Sequence, residues 1–134
     1  EIRDVFVAGR KFEYLKERML GYEELMKLPV MCLEGNTSTR TYVEQFLASK
    51  QVTIRPEFEL ATSDMLIQFA VRNLGIASVV RNFAEEHLTE GDLFELRFLE
   101  EIPARTFCIV ANERIPLSAA AATLMNVLVQ GTSQ

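Results

Sequence analysis

Short runs of apolar residues alternate with longer amphipathic stretches along the whole chain. The apolar runs are either continuous, as in buried strands, or alternate with polar positions, and both patterns predict β-strands. Six segments carry them: residues 4–9, 29–33, 56–61, 76–80, 92–99 and 104–112. Predicted strands are therefore distributed over most of the chain.

Two of the intervening stretches carry an apolar stripe at helical spacing, and each stripe predicts one amphipathic helix. The first helix is predicted over residues 38–49 and the second over residues 64–73, before Gly75. The stripe of the first helix consists of Tyr42, Val43, Phe46 and Leu47. The stripe of the second consists of Met65, Leu66, Phe69 and Ala70.

Three further segments have helical patterns with clear boundaries. Residues 22–28 supply one or two turns that stop at Pro29, and residues 81–91 form a short helix with a terminal glycine. The last helix is predicted over residues 116–130, with a proline at its first position. Its apolar stripe consists of Leu117, Ala121, Leu124 and Leu128.

Strands separated by helices require crossover connections, which predict an α/β domain with a mixed, mostly parallel sheet flanked by helices. A chain of 134 residues with 49% hydrophobic residues is long enough to bury the core of one such domain. The sequence opens on Glu1 rather than on methionine, and we expect it to be a fragment of a longer protein.

Charge argues against nucleic-acid binding by these residues alone. The formal net charge is -5, from 14 basic and 19 acidic residues, and the basic residues are scattered among the acidic ones. Proteins that grip phosphates normally present a basic face. No apolar stretch reaches the ~20 residues that a bilayer requires, so we expect no membrane contact.

The two cysteines and the single histidine do not indicate a metal site or a redox site. Cys32 and Cys108 lie within apolar runs and are expected to be buried, reduced thiols, with a disulfide as the alternative. The single histidine, His87, lies in a charged helical stretch that we expect to face solvent. No metal-ligand spacing is present, so we expect neither a metal nor a cofactor.

Two predicted strand-to-helix junctions carry clusters of hydroxyl side chains, each at the end of a strand. The first consists of Asn36, Thr37, Ser38 and Thr39 with Arg40, and the second consists of Ala61, Thr62 and Ser63. Such residues cap helices, and Thr41 with Glu44 fits a capping box.

One cap residue per helix is enough, so the first cluster holds more polar groups than capping needs. Ligands of open α/β sheets bind outside the carboxyl ends of the strands, where the N-termini of helices favour anions. Capping alone and contact with a small carboxylate or oxyanion therefore both remain open from spacing.

Catalytic patterns are weak in this sequence. No nucleophile elbow of the form GxSxG is present, and a catalytic triad would have to recruit His87 from the charged stretch. Most carboxylates lie on predicted solvated helix faces, and no glycine-rich phosphate loop exists. We expect that the protein is not an enzyme.

The order of the segments from Tyr22 to Val80 resembles the effector-binding (substrate-binding) domain of LysR-type transcriptional regulators. The similarity lies in "LMKLPV" before a strand, the polar loop with its Thr-Arg helix start, the strand "PEFE" and the helix running into "VRNLGIASVV". Further on, "PLSAAA" resembles the start of the family's final helix. Two positions depart from the family pattern: Asn73 replaces a usual glycine, and Arg81 stands where a proline often lies.

The resemblance implies a periplasmic-binding-protein-like (type 2) fold, of which this chain is the second lobe. Residues 1–9 and 104–112 match the two strands that cross between lobes, and the helix at 116–130 matches one that packs on the first lobe. The family's N-terminal helix-turn-helix and most of its first lobe are not present in these 134 residues.

The resemblance also implies a function. A small effector, which we expect to be anionic, binds between the lobes at the two hydroxyl clusters and controls DNA binding by the helix-turn-helix domain. The family is cytoplasmic and its effector domains pair as dimers, so we expect a homo-oligomer. The alternative is one lobe of a periplasmic solute-binding protein, which shares the two-lobed architecture.

Overall fold

The computed structural model describes residues 2–35 and 37–105, which form a layered α/β unit. The strands within these ranges are β1 (Asp4–Ala8), β2 (Met19–Leu20), β3 (Val30–Leu33), β4 (Phe58–Leu60), β5 (Ile76–Val80), β6 (Phe94–Glu95) and β7 (Arg97–Phe98). The α-helices are α1 (Ser38–Ser49), α2 (Ser63–Val71) and α3 (Arg81–Glu90), and the segments Arg10–Leu15 and Tyr22–Lys27 are 3-10 helices.

The main sheet has five strands in the order β4-β3-β5-β1-β6 and is mixed, as predicted. β3 is parallel to both β4 and β5, whereas β1 is antiparallel to β5 and β6. β2 and β7 form a separate parallel pair. The parallel part of the sheet therefore consists of the three strands that precede α1, α2 and α3.

The two faces of the sheet are buried in two separate cores, because side chains of a strand point alternately to opposite faces. Along β1, Phe6 and Ala8 join the core that contains α1, whereas Val5 and Val7 join the core that contains α2 and α3. The predicted positions of the first two helices, one at 38–49 and one at 64–73, are thus confirmed, and they cover opposite faces.

The apolar stripe of α2 differs from its prediction at one position. Leu66 and Ala70 are fully buried, but Met65 is 39% exposed and Ile67, which the predicted stripe left out, is 3% exposed. The buried face, which consists of Ser63, Leu66, Ile67 and Ala70, is therefore turned by part of a helical turn from the predicted stripe.

The predicted strand at 92–99 is divided between two sheets. Phe94–Glu95 pairs with β1, and Arg97–Phe98 pairs with β2. The change of partner occurs at Leu96, which is buried and whose backbone N–H donates to the carbonyl of Phe6 at 2.8 Å. The single alternating pattern at 92–99 therefore corresponds to two short strands.

Backbone geometry explains two of the loop positions. Gly91 ends α3 with φ of 88°, in the left-handed region where glycine is favoured. Asn73 also has a positive φ, 64°, and its side-chain Oδ1 accepts a hydrogen bond from the backbone N–H of Lys11 at 2.9 Å. Asparagine tolerates this conformation, so replacing a usual glycine there preserves the turn.

Several predictions lie partly or wholly outside the described residues. Of the predicted strand at 104–112, the structure describes Arg105, which forms an antiparallel β-bridge with Ile2. The helix predicted at 116–130, with its stripe of leucines, lies outside the described ranges, as does Cys108. Among the described residues, no helix is both long and apolar enough to cross a bilayer.

Candidate functional site

The three parallel strands end at the same edge of the sheet, and each is followed by a helix. Register pairs Leu33, the last residue of β3, with Leu60, the last residue of β4. The backbone N–H of Glu34 continues the ladder with a 2.8 Å hydrogen bond to the carbonyl of Leu60. The two strands that precede the hydroxyl clusters therefore end side by side, although they are far apart in the sequence.

Thr37 caps the first of these helices. Its Oγ1 accepts a hydrogen bond from the backbone N–H of Arg40 at 3.1 Å, and its carbonyl accepts one from Thr41 at 3.0 Å. The predicted capping box of Thr41 with Glu44 is wrong, because the N-cap of α1 is Thr37 and Thr41 lies inside the helix. Asn36, a predicted ligand residue, lies outside the described ranges.

The next two hydroxyls have different surroundings. Ser38 is exposed, and no described side chain hydrogen-bonds its hydroxyl. Thr39 is 4% exposed, and its Oγ1 accepts a hydrogen bond from Nη2 of Arg105 at 2.9 Å. The backbone N–H groups of both residues belong to the first turn of α1, which has no intrahelical acceptors for them. These amides are the donors that the junction offers to a ligand.

The guanidinium of Arg40 interacts with two carboxylates. Nη1 donates to the carbonyl of Leu33 at 2.9 Å and forms a short ion pair with Glu59 on β4, and Nε lies 3.5 Å from a carboxylate oxygen of Glu44. The hydrogen bond with Glu59 raises the pKa of Arg40 above its ordinary value. The structure thus ties this cation to the ends of β3 and β4 rather than leaving it unpaired.

The second cluster repeats the capping geometry of the first. Thr62 is the N-cap of α2, and its Oγ1 accepts a hydrogen bond from the backbone N–H of Met65 at 3.2 Å. Ser63 is 3% exposed and Ala61 is exposed. Asp64 lies in the first turn of α2 and is exposed, so it places a negative charge beside these amides.

A third junction lies at the same edge and was not predicted as part of the site. β5 ends at Val80 and α3 begins directly at Arg81. The backbone N–H of Arg81 donates to the carbonyl of Arg3 at 2.8 Å, and its Nε lies 3.0 Å from a carboxylate oxygen of Glu95. The sequence did carry a signal for this junction, because the polar pair Arg81-Asn82 directly follows an apolar strand, as the two predicted clusters do.

Asp4 and Arg105 form an ion pair beside the first junction. The carboxylate of Asp4 is only 1% exposed and accepts from Nε of Arg105 at 2.8 Å and from Nη2 at 3.0 Å. Removing one partner of a pair buried in this way costs about 3–5 kcal/mol. Nothing in the sequence pattern signals the pair, because its members are separated by 101 residues.

Two cavities adjoin these elements. One of about 530 Å³ runs along β1 and is lined by residues that include Arg3, Asp4, Arg81 and Glu95. The other, of about 30 Å³, lies between α1 and the sheet and is lined in part by Thr39, Arg40 and Cys32. The first has the volume of a small-molecule site, whereas the second has room for a water molecule.

Cys32 and His87 have surroundings that their sequence context did not fully indicate. Cys32 is a free thiol as predicted, but it is half-buried rather than buried, and burial raises its pKa. His87, which was expected to face solvent, is partly buried, and its Nδ1 lies 3.2 Å from a carboxylate oxygen of Asp92. Among the described residues, His87, Glu90 and Asp92 could offer three ligand atoms to a metal ion, all within 4.8 Å of one another.

Comparison with known proteins agrees with this architecture. The sequence matches the family described as LysR substrate binding domain over residues 2–133. The HTH-type transcriptional activator CmpR of Synechocystis is 27% identical over 73 residues, which is 54% of this chain and 24% of CmpR. The chain therefore spans about a quarter of that relative's length.

Three solved structures share the fold at low sequence identity. The Synechocystis CcmR regulatory domain in complex with 2-PG has a TM-score of 0.69 at 16% identity, covering 98% of this chain and 63% of its own. The effector binding domain of QuiR in complex with shikimate has a TM-score of 0.67 at 9% identity, covering 98% and 62%. The CrgA regulatory domain of Neisseria meningitidis has a TM-score of 0.62 at 16% identity, covering 96% and 64%.

These matches favour a regulator's ligand-sensing domain over a lobe of a periplasmic solute-binding protein. The family match covers nearly the whole chain, from residue 2 to residue 133. The chain belongs to the LysR substrate binding domain family.

Proposed function

We propose that this chain binds a small anionic effector at the carboxyl ends of β3 and β4. The observation that carries the proposal is the pairing of Leu33 with Leu60, which brings together the ends of two strands that are each followed by a threonine-capped helix. Each N-terminus offers unpaired backbone N–H groups and the positive end of a helix dipole. Together they provide donors on both sides of one small ligand.

The roles of the individual side chains follow from their partners. Thr37 and Thr62 cap the helices, so their hydroxyls already accept hydrogen bonds and hold the first turns in place. The hydroxyl of Ser38 is exposed and available to donate to a carboxylate. Asn36 and Ala61 complete the proposed wall by their positions between strand and helix in the sequence, and Ser63 begins α2 beside them.

The electrostatics of the site favour an anion of low charge. Arg40 is neutralised by Glu59 and Glu44, and Asp64 adds an exposed negative charge at the second helix. The attraction therefore comes from the helix N-termini, each contributing about 0.3–1 kcal/mol, and from hydrogen bonds. A small carboxylate fits this balance.

Ligands seen in structurally similar proteins support the same chemistry. The QuiR effector domain is in complex with shikimate, which is a hydroxylated carboxylate, and the CcmR regulatory domain is in complex with 2-PG. Because these proteins share 16% or less identity with this chain, they support the class of ligand and not its identity.

The biological role follows from family membership. The bound effector controls DNA binding by a helix-turn-helix domain located outside these 134 residues, in a cytoplasmic, dimeric regulator. CmpR, described as an HTH-type transcriptional activator, supports that arrangement. The net charge of -5 supports DNA contact by the other domain, and the family match supports a regulatory role rather than catalysis.

Nuclear magnetic resonance titration tests the proposed site directly. Isotope-labelled protein is titrated at constant ionic strength with sulfate, acetate and shikimate, with chloride as the control anion. We expect saturable shifts in the backbone amides of residues 37–39 and 62–64 with at least one carboxylate. Shifts that are absent there, or spread evenly over the protein, would contradict the proposal.

A further inference from the structure

The guanidinium of Arg105 joins three segments that are far apart in the sequence. Nε and Nη2 hold the two carboxylate oxygens of Asp4 at 2.8 and 3.0 Å. Nη2 also donates to the hydroxyl of Thr39 at 2.9 Å, in the first turn of α1. A planar guanidinium fixed by two bonds to one carboxylate has a defined orientation, so the position of its third bond is set by Asp4.

A second set of contacts fastens the same segments together. The guanidinium lies over the ring of Tyr42 with its central carbon 5.0 Å from the ring centroid, and the Tyr42 hydroxyl donates to the carbonyl of Pro103 at 2.8 Å. On the other side, the backbone of Arg105 pairs with Ile2, with Arg105 N–H donating at 2.8 Å. Helix α1 is thus attached to residues 103–105, and these residues are attached to the start of the chain.

The link reaches the proposed effector loop from its buried side. Thr39 is 4% exposed, whereas the neighbouring Ser38 is exposed. The first turn of α1 therefore presents one residue to solvent and the next to Arg105. Because Arg105 is held by Asp4 and bonded to Thr39, a displacement of this turn strains the bond between Thr39 and Arg105 or moves Arg105 and Asp4 with it.

We propose that Arg105 is a positioning residue that couples the first turn of α1 to residues 2–4 and 103–105, so that these segments shift together. In its consequence for sensing, the inference rests on the proposed function, because only an effector bound at the loop would use the coupling. The coupling itself is a property of the protein without ligand. It supplies a physical route from the loop to the bridge between Ile2 and Arg105.

A double-mutant cycle measures the coupling. Thr39→Val removes the acceptor with little change of shape, and Arg105→Gln removes the charge and the fork. We expect Thr39→Val to lower the melting temperature of the wild-type protein and to have less than about half that effect in the Arg105→Gln background, since contacting residues are not additive. Equal effects in both backgrounds would overturn the proposal.

A rescue variant separates the hydroxyl from the bulk of the side chain. Thr39→Ser keeps the acceptor, and we expect it to retain the coupling that Thr39→Val loses. If Arg105→Gln does not fold, Arg105→Lys replaces it in the cycle, because lysine keeps the charge without the fork geometry. A coupling that survives in Arg105→Lys at full strength would also contradict the inference.

Hydrogen exchange on Thr39→Val alone tests propagation. We expect the backbone amides of Ile2 and Arg105, which form the β-bridge, to exchange about threefold faster or more, while the amides of β3 stay protected. Unchanged exchange at the bridge would refute the coupling. Arg18→Gln, which breaks an exposed ion pair with Glu24, is the matched control and should leave the bridge unchanged. No ligand enters this experiment, so its failure is distinct from failure of the effector proposal.

Discussion

Thr37 and Thr62 have equivalent positions at the starts of the helices that follow two adjacent strands, and their side-chain oxygens accept equivalent hydrogen bonds. Capping is therefore one part of what the hydroxyl clusters do. The remaining hydroxyls are not equivalent, because Thr39 is buried on Arg105 and Ser38 is exposed to solvent. At the residue scale, Ser38 is the hydroxyl through which ligand binding can be tested with the least disturbance of the fold.

Substituting Ser38 with alanine is expected to weaken anion binding and leave stability nearly unchanged. A hydrogen bond to a charged group contributes about 1.5 kcal/mol or more, so the Kd rises by roughly tenfold. The substitution is on the surface, so the free energy of unfolding changes by no more than about 0.5 kcal/mol. Calorimetric titration and thermal unfolding measure the two quantities.

Ser49→Ala is the matched control, since Ser49 lies at the other end of the same helix and its hydroxyl donates to the carbonyl of Phe46. We expect no change in Kd for this variant. Equal weakening by Ser38→Ala and Ser49→Ala would show that the loop hydroxyl does not contact the ligand.

At the element scale, α2 shows how a helix is oriented by its packing. Leu66 and Met65 are neighbours in the same predicted stripe, yet Leu66 is fully buried and Met65 is 39% exposed. Ile67 and Ala70 complete the buried face, which packs on β1, β3 and β5. The direction of the face is thus set by the sheet beneath it.

Leu66→Ala is expected to lower the free energy of unfolding by about 2–5 kcal/mol, the usual cost of removing a large buried side chain. Met65→Ala, the matched control, is expected to cost no more than about 1 kcal/mol, because its side chain is partly in solvent. Urea denaturation of both variants measures the difference. Similar losses for the two would mean that the helix is rotated relative to the structure described above.

At the scale of the whole molecule, charge and surface determine which partners the chain can bind. The net charge of -5 and the dispersion of basic residues among acidic ones oppose contact with a phosphate backbone. Several basic side chains are also paired with carboxylates, including Arg3 with Glu101, Arg81 with Glu95 and Lys50 with Glu100.

The isolated chain is expected not to shift a DNA fragment in a gel at physiological salt. A fusion of the same chain to a helix-turn-helix domain supplies the positive control. Tight binding by the chain alone that weakens steeply as salt rises would contradict the assignment of DNA contact to another domain.

Self-association is the second prediction at this scale. The stripe of Leu117, Ala121, Leu124 and Leu128 is apolar, and both faces of the sheet are already covered by helices. Each buried leucine contributes roughly 1.5–3 kcal/mol, so we expect the stripe to pack against a second copy of the chain.

Sedimentation at micromolar concentration is expected to show a dimer that Leu124→Asp dissociates. Leu99→Asp, at an exposed leucine of the described region, is the control and should leave the dimer intact. A monomeric wild-type chain would show that the stripe is buried within its own chain.

The sequence by itself determined the types and order of most elements, because these depend on local periodicity and on caps. The strands at 4–9, 29–33 and 76–80 and the helices at 38–49 and 81–91 are found where apolar spacing, glycine and proline predict them. The order of motifs also identified the family. These properties are encoded within windows of a few residues, where neighbouring side chains decide the outcome.

Only the tertiary structure decided which distant residues meet. The pairing of Leu33 with Leu60, the ion pair of Arg40 with Glu59 and the contact of Arg105 with Asp4 and Thr39 each join separate segments. Such contacts depend on strand register and on how helices lie on the sheet, and neither has a local signature. For the same reason the sequence could place hydroxyls at two strand ends, but the register of the sheet was needed to make them neighbours.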